Sequence, residues 1–420
     1  MAPHRLHAIV PRPVALVSAA VALSLLGDSL LYAVLPSQAE AVGVPVGLVG
    51  VILSANRFIR LLSNPWAGGV CDRLGYARPF TAALLLGALT TAVYGLATGF
   101  WLLFLARVLW GVSWSFLRVG GLGTVLEHAT HRDRGLLMGF FLGISRLGSL
   151  VAVALGGVLT DSIGYRPTFL LFAILSALAA VISGPSSKRC SHHAQDAPHV
   201  ASSPSPQAPH SPPGPIPTGR AGHKSRRRRL WAVNVCGFSN GFVTAGLVTS
   251  TLGLLLKTHY GSAIAVGSLS VGIASVTGLL LSLRWAIDFG LGPYLGHLSD
   301  RLGRHRVILA AFAIGTLALG VFASVAAFIP LGLAAVVIFI SSTALSAALD
   351  ASLGDLAPVG EQGRTIGRYA TCTDLGSACG PLLGYALGVW IGFMPMYILG
   401  GCLLLGAAGF YVKTVLSAEG

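Results

Sequence analysis

GGVCDRLGYAR, at Gly68–Arg78, returns later in the chain in a related form, GHLSDRLGRHR, at Gly296–Arg306. Each copy lies directly between two long apolar runs. The aspartate of the second copy, Asp300, follows that of the first, Asp72, by 228 residues, which is more than half of the chain. A repeat with so long a period indicates two duplicated halves instead of a solenoid. The glycines and the Asp-Arg pair of each copy predict a tight polar turn between two helices.

The composition is that of a membrane protein with many spans. Of the 420 residues, 54% are hydrophobic and 10% are charged, and the mean hydropathy is +0.76. Soluble domains carry roughly 25% charged residues. The net charge of +14 does not indicate a nucleic-acid partner, because the basic residues lie in loops that flank apolar runs. This pattern sets the orientation of a membrane protein.

Apolar segments of about 18 residues or more predict membrane-spanning helices. The sequence contains twelve such segments in two sets of six, which predicts an all-α membrane protein. Three regions follow: a six-helix bundle in 1–184, a disordered cytoplasmic linker in 185–229 and a second six-helix bundle in 230–420. The segments are 13–36, 46–66, 79–98, 101–126, 136–160, 167–184, 230–256, 263–290, 307–326, 330–354, 366–391 and 394–414.

The linker region is rich in Pro, Ser and His and ends in the run Arg226–Arg229. Such a composition buries too little apolar surface to fold. We expect the four arginines to bind anionic lipid headgroups, at roughly 1 kcal/mol each. The histidines of the linker leave a metal-sensing role open, although their spacing is irregular. They are His192, His193, His199, His210 and His223. The six cysteines have no metal-ligand spacing, and we expect no cofactor and no metal.

Positive charge is distributed very unevenly between the two predicted sides of the membrane. If the N-terminus is cytoplasmic, the outer loops hold only Arg166 and Lys257 as basic residues. The positive-inside rule therefore predicts that both termini and both copies of the repeat are cytoplasmic. We expect a multi-pass protein of a bacterial cytoplasmic (inner) membrane.

The repeated stretch resembles the loop between the second and third helices of the major facilitator superfamily of secondary transporters. The second copy follows the family pattern, and the first departs from it at Tyr76 and Ala77, where the family has basic residues. The resemblance covers nearly all of the chain outside the linker. It implies two pseudo-symmetric six-helix bundles that rock about a central site, a monomer, and no enzymatic activity.

The resemblance also implies a cytoplasmic gate in each half. Glu127 and Asp355 close the fourth and tenth spans and are again 228 residues apart. By analogy with the family, Glu127 contacts Arg73, and Asp355 contacts Arg301, next to Asp72 and Asp300 of the repeat. The alternative is that the basic residues only set the orientation and that the acids are incidental.

Ionisable residues inside spans are costly and must face a cavity or a partner. The family's cavity is lined by the first, fourth, seventh and tenth helices, which implies that Asp28, Arg118, Asn240 and Asp350 line it here. Asp28 is an isolated carboxyl in an apolar span, and burial makes a carboxyl hold a proton more readily. We therefore predict that Asp28 couples transport to protons; alternatively, it forms a permanent structural pair with Arg118.

Arg107 opens the stretch RVLWG, which resembles the R-x-x-x-G signature that the family associates with proton coupling on its fourth helix. An arginine does not deprotonate, so its role would be to bias a nearby carboxyl or to hold an anion. The alternative is that Arg107 lies near the outer surface and extends to the membrane interface.

The repeat also pairs four charged positions. A shift of 228 residues takes Arg60 to Asp288 and Arg146 to Asp374. In the family's fold the second helix packs against the eleventh and the fifth against the eighth. This implies an inter-domain latch of two ion pairs, Arg60–Asp374 and Arg146–Asp288. The alternative for Asp288 is a pair with Arg284, one turn earlier on the same helix.

The sequence predicts an alternating-access transporter, with proton-coupled efflux of a small organic or amphipathic molecule. The alternative is uptake or exchange of an organic anion, because arginines outnumber acids on the expected cavity wall. A membrane enzyme is disfavoured because the predicted spans contain no histidine. A receptor or scaffold would not need buried arginines and acids on several helices.

Overall fold

The computed structural model describes residues 10–130, 133–188, 220–266, 269–356 and 362–415. The first half consists of six helices, and each loop between them is short. They are α1 (Arg12–Gln38), α2 (Val46–Leu74), α3 (Ala77–Leu96), α4 (Phe100–His128), α5 (Arg134–Ile163) and α6 (Tyr165–Lys188).

The second half is also helical but contains two irregular features. A π-helical segment, Gly241–Val248, continues α7 into α8, and a small hairpin follows α8. The helices are α7 (Arg220–Asn240), α8 (Thr249–Tyr260), α9 (Ile273–Gly290), α10 (Gly292–Leu302), α11 (Arg304–Ser324), α12 (Phe328–Leu356), α13 (Gln362–Ile391) and α14 (Phe393–Val415). The hairpin pairs β1 (Ala263–Val266) with β2 (Leu269–Gly272) in antiparallel register, with Ala263 opposite Gly272.

The repeated stretch forms the same structure in both halves. The last glycine of each copy follows the end of a helix and has a positive φ, which is 74° at Gly75 and 89° at Gly303. A residue with a Cβ is strained in this region of φ, which explains why both copies carry glycine there. The next helix begins within two residues, at Ala77 and at Arg304. The predicted tight turns are therefore present.

Ten of the described helical segments are long and apolar enough to cross a membrane. In α6, the apolar segment among the residues whose side chains are described is Tyr165–Val181, and α13, which carries Arg368 and Asp374, is not one of the ten. The all-α membrane fold is confirmed, whereas the count of twelve spans stays a prediction. The predicted eighth span, 263–290, begins too early: its first ten residues are mostly the hairpin, whose alternating β-branched residues favour strands.

Helices also extend into the region that was expected to be a disordered linker, 185–229. Helix α6 continues to Lys188, and α7 begins at Arg220, since arginine is a good helix former. Arg226 donates from Nε to the carbonyl of Leu356 at 2.8 Å, so this arginine contacts the end of α12. Arg227 and Arg228 are exposed. Of the linker histidines, His192, His193, His199 and His210 lie outside the described residues.

The two halves pack closely on one side, which we call the outer side because the charge distribution predicts that it faces away from the cytoplasm. This side carries residues 39–45 and 261–272. Here α9 packs along α5, α13 along α2, and α8 against α1. A Cβ at Gly278 of α9 would collide with the carbonyl of Val153 on α5. Ser54 of α2 donates from Oγ to the carbonyl of Ala378 on α13 at 2.6 Å.

Candidate functional site

A cavity of about 570 Å³ lies between the two halves. Residues of α1, α2, α4 and α5 form one wall, and residues of the π-helical segment, α8, α9 and α13 form the other. The wall is rich in charged and aromatic side chains. The charged ones are Asp28, Arg57, Arg60, Arg118, Arg146, Arg284 and Asp374, and the aromatic ones are Tyr32, Trp110, Trp114, Phe141 and Trp285.

Asp28 forms an ion pair with Arg107, whose side chain is fully buried. The same carboxylate oxygen, Oδ1, accepts a hydrogen bond from Asn56 Nδ2 at 3.2 Å. The guanidinium of Arg107 also lies over the rings of Tyr32 and Tyr94, with its central carbon 5.0 and 5.9 Å from their centroids. These contacts compensate for the burial of a charge. The Asp28 carboxylate thus lies on the cavity wall and also contacts a buried cation.

Two alternatives for this pair are wrong. Arg107 does not extend to the membrane interface, because α4 directs it inward to Asp28 and to the carbonyl of Ile52. Asp28 does not pair with Arg118, which lies further along α4, near Asp374 and Arg60. The sequence places both arginines in the fourth span, but it does not specify which of them points towards α1.

Asn56 is a site residue that sequence reasoning missed. It is buried, lines the cavity, and bonds to Asp28 and to the hydroxyl of Tyr32, which donates to Asn56 Oδ1 at 3.4 Å. A neutral amide inside a span lacks the charge that marks the other site residues. Its position directly before Arg57, after an apolar first half of α2, was the available signal.

The first predicted inter-domain pair is present. Arg60 Nη2 of α2 lies 3.2 Å from Asp374 Oδ1 of α13, so one ion pair joins the two halves at the cavity. Both side chains are largely buried, at 12% and 23% exposure. Screening by water is weak at such a site, so the attraction is larger than for a surface pair. Whether this pair acts as a latch stays a prediction.

The second predicted pair is not an ion pair. Arg146 of α5 donates to the main-chain carbonyl of Asp288 at 3.3 Å, while the Asp288 carboxylate accepts from Thr343 Oγ1 at 2.5 Å. The carboxylate therefore points towards α12 instead of α5. The alternative pair with Arg284 is absent among the described ion pairs, since Arg284 donates to Thr249 Oγ1 at 3.1 Å and lies over the ring of Trp285.

Two residues expected on the cavity wall are not part of it. Asn240 donates to Ser346 Oγ at 2.9 Å and to the carbonyl of Ser342 at 3.3 Å, which joins α7 to α12. Asp350 lies on α12, and no described residue of that helix lines this cavity. Helices α2, α5, α9 and α13 form most of the wall. The wall therefore carries the arginines of these helices and not Asn240 or Asp350.

Asp355, which is predicted to belong to a cytoplasmic gate of the second half, pairs with a different arginine from the one expected. Asp355 pairs with Arg304, not with Arg301, and Arg304 Nη2 also lies 3.7 Å from Asp300 Oδ1. Arg304 also donates from Nη1 to the carbonyl of Ala351 at 2.6 Å. Arg304 is the first residue of α11, directly after the turn at Gly303, and this start directs it towards α12.

In the first half, the residue equivalent to Arg304 is Tyr76. Among the described ion pairs, none joins Glu127 to Arg73, and no arginine replaces Arg304. Burial, with the nearby negative charges of Glu127 and Asp72, raises the pKa of the Tyr76 hydroxyl. The departure of the first copy from the family pattern thus has a structural result: among the described residues, the Asp–Arg–Asp cluster forms in the second half and not in the first.

Comparison with known proteins identifies the family. The family model described as Major Facilitator Superfamily matches residues 17–289 and 273–418, which together span almost the whole chain. The chain belongs to the Major Facilitator Superfamily. This protein of the superfamily is therefore a multi-pass membrane transporter and not an enzyme.

Several bacterial multidrug proteins of this superfamily are similar over most of the chain. Multidrug resistance protein 2 of Bacillus subtilis is 24% identical over 374 residues, which cover 86% of this chain and 85% of that protein. Multidrug resistance protein MdtG of Enterobacter lignolyticus is 24% identical over 90% of this chain and 86% of its own length. The human chromaffin granule amine transporter is 35% identical, but only over 31% of this chain and 25% of its own length.

Solved structures show the same superfamily fold. A bacterial homologue of the human lysosomal transporter Spinster, in an inward-facing and occupied conformation, superposes with a TM-score of 0.76 at 13% identity. That match covers 99% of this chain and 97% of the homologue. A POT family transporter in complex with a thioalcohol-conjugated peptide gives a TM-score of 0.73 at 13% identity. At these identities the likeness concerns the fold alone.

Proposed function

We propose that this protein is an alternating-access transporter that exports a small amphipathic organic molecule in exchange for protons. One observation carries the proposal: the cavity between the halves contains a carboxyl, Asp28, that pairs with a fully buried arginine, Arg107. The cavity is the place for the cargo, and the carboxyl is the group that exchanges a proton.

The outer side of the cavity is closed by contacts between the halves. Asp161 of α5 accepts hydrogen bonds from the amide and the hydroxyl of Ser275 in the first turn of α9, at 2.7 and 2.6 Å. A carboxylate is stabilised at a helix N-terminus. Lys257 and Glu40 form a second, exposed contact at 3.3 Å. Release of cargo to the outer side requires these contacts to separate, as in rocking of the two halves.

Protonation of Asp28 would change the relative free energies of the inward-facing and outward-facing states. The Arg107 cation is buried, and a buried cation without its partner costs several kcal/mol. A proton on Asp28 removes that partner and favours a state in which α1 and α4 are arranged differently around Arg107. Only a group with a different proton affinity in the two states couples transport to protons.

The names of the similar proteins support a small organic cargo. The bacterial multidrug proteins, which match along most of their length, favour efflux. The amine transporters match only a third of this chain, so their amine cargo is not carried over.

Reconstitution in liposomes tests this function. Three probes share one ring and differ in charge: 2-naphthoate, 2-naphthylmethanol and 2-naphthylmethylammonium. With an imposed pH gradient, at least one probe should accumulate and carry protons, read by a pH-sensitive dye in the lumen. Asp28→Asn should abolish gradient-driven accumulation but retain part of the probe exchange, because exchange needs no net proton movement.

Asp133→Asn is the matched control, since the Asp133 carboxylate accepts from the Thr130 amide in an exposed loop, away from the residues that line the cavity. It should leave both activities unchanged. Accumulation of a probe against its gradient by the Asp28→Asn protein would contradict the assignment of Asp28. Probe movement that is independent of the pH gradient in the unaltered protein would contradict proton coupling.

A further inference from the structure

The cavity wall has a large excess of positive charge. Five arginines and two aspartates line it. Both aspartates are already paired, Asp374 with Arg60 on the wall and Asp28 with Arg107 behind it. The other four arginines have no carboxylate within 4.0 Å among the described ion pairs. They are Arg57, Arg118, Arg146 and Arg284.

Three of these arginines are held in place by neutral acceptors. Arg57 donates to the carbonyls of Ala245 and Ser377. Arg284 donates to Thr249 Oγ1, and Arg146 to the carbonyl of Asp288. Neutral acceptors orient a guanidinium but leave its charge uncompensated. These bonds orient the three cations, and among the described ion pairs none of the three has a carboxylate partner.

The same three arginines converge from different helices, Arg57 from α2, Arg146 from α5 and Arg284 from α9. The carboxylate of Asp288, which is not within ion-pair distance, attracts the charge of Arg284, while Arg57 and Arg146 are close enough to repel it. Like charges that share a low-dielectric site destabilise it, and a bound anion removes this cost. Arginine is also the side chain best suited to bind a carboxylate or a similar planar or tetrahedral anion through two hydrogen bonds.

The rest of the wall is aromatic and apolar. Trp110, Trp114 and Phe141 lie on the first half, and Trp285 lies on the second. The guanidinium of Arg284 stacks over the ring of Trp285, 5.1 Å from its centroid. An anionic group placed at the arginines would therefore have aromatic surface next to it. A ligand with an apolar or aromatic body fits such a wall.

We infer that the cargo is an organic anion, with its carboxylate or sulfonate held by Arg57, Arg146 and Arg284 and its apolar body against the tryptophans. The inference rests on the proposed function only in that it takes this cavity as the cargo site. A cationic amine of the same size would be repelled by the arginines, and the two aspartates of the wall are already paired.

Binding to the purified full-length protein, measured by titration calorimetry, tests the charge of the cargo. 2-Naphthoate or 2-naphthalenesulfonate should bind saturably and at least about tenfold more tightly than 2-naphthylmethylammonium. Arg284→Gln should weaken the binding of the anions about tenfold, as expected for loss of one charge-assisted hydrogen bond. The same variant should leave binding of the amine unchanged or stronger. Arg284→Lys should retain more anion affinity than Arg284→Gln.

Arg166→Gln is the control, because it removes the same charge from an exposed position on α6. Arg146→Gln serves as a second variant if Arg284→Gln does not elute as a folded monodisperse protein. The inference is wrong if neither anion binds saturably, if the amine binds as tightly as the anions, or if the variants weaken both classes equally.

The two proposals fail in different ways. Anion binding without proton-linked movement in liposomes would support the inference and contradict the proposed function. Proton-linked transport of the amine alone would support the proposed function and contradict the inference.

Discussion

At the scale of single residues, Arg60 and Asp374 join the two halves at the cavity by one ion pair, with Nη2 and Oδ1 3.2 Å apart. The repeat supplies the equivalent positions of this pair, and the family fold supplies the helix pairing. The same reasoning was wrong for Arg146 and Asp288, although the backbones do meet. Helix pairing brings two backbones together, but the direction of the Asp288 side chain depends on Thr343 of α12, which the repeat does not specify.

The role of the Arg60–Asp374 pair is tested by exchanging its charges. Arg60→Asp places two carboxylates next to each other and should slow transport about tenfold, the scale of a coupling energy of ~1–3 kcal/mol. Arg60→Asp combined with Asp374→Arg restores the attraction and should recover most of the rate. Initial transport rates in liposomes, on proteins with the same elution profile, measure this. If the double variant is no faster than either single variant, the pair is not a latch.

At the scale of elements, the close approach of α5 and α9 depends on glycine. Gly278→Val should push α9 away from the carbonyl of Val153, because an overpacked contact costs about 1–3 kcal/mol. The closed outer side would then open more often. Ser54→Cys, at a buried position between α2 and α13, reports this opening in a protein whose native cysteines are replaced.

A membrane-impermeant maleimide should label this cysteine about tenfold faster when Gly278→Val is present, since ~1.4 kcal/mol corresponds to a factor of ten. Gly320→Val on α11 is the control, because nothing lies within 4 Å of its Cβ position. Equal labelling rates in both backgrounds would show that α5 and α9 do not limit the opening.

The type of element was predicted correctly where the hydrophobic pattern in the sequence is long, and it was missed where that pattern is short. The long apolar runs predicted the helices, but the hairpin at Ala263–Gly272 and the π-helical segment at Gly241–Val248 were not foreseen. A four-residue strand pattern next to an apolar helix reads as part of that helix. A π-helical segment differs from an α-helix in its hydrogen bonds and not in its composition.

At the scale of the whole molecule, the 228-residue repeat was sufficient to predict two related halves. It could not predict which helices form the cavity, because the wall depends on how the halves are tilted against each other. Of the charged wall residues on α2, α5, α9 and α13, the sequence predicts an inter-domain latch for Arg60, Arg146 and Asp374, and it places none of them on the cavity wall.

The segment between the halves is predicted to act only as a tether. Replacing residues 191–218 with a Gly-Ser sequence of equal length should leave the melting temperature and the transport rate unchanged, because a composition rich in Pro, Ser and His buries too little apolar surface to fold. The replacement retains Arg226, which contacts the end of α12. A protein that aggregates or loses transport after this replacement would show that the native sequence of the segment is required.

The unpaired arginines of the cavity wall have an electrical consequence. When the two halves rock, these fixed charges take a different position in the electric field across the membrane. Moving one elementary charge through 100 mV changes its energy by about 2.3 kcal/mol. A voltage that is negative on the cytoplasmic side therefore favours the empty carrier with its cavity open to the cytoplasm. A bound anion cancels part of the moving charge, so the loaded carrier reorients with a smaller gating current than the empty one.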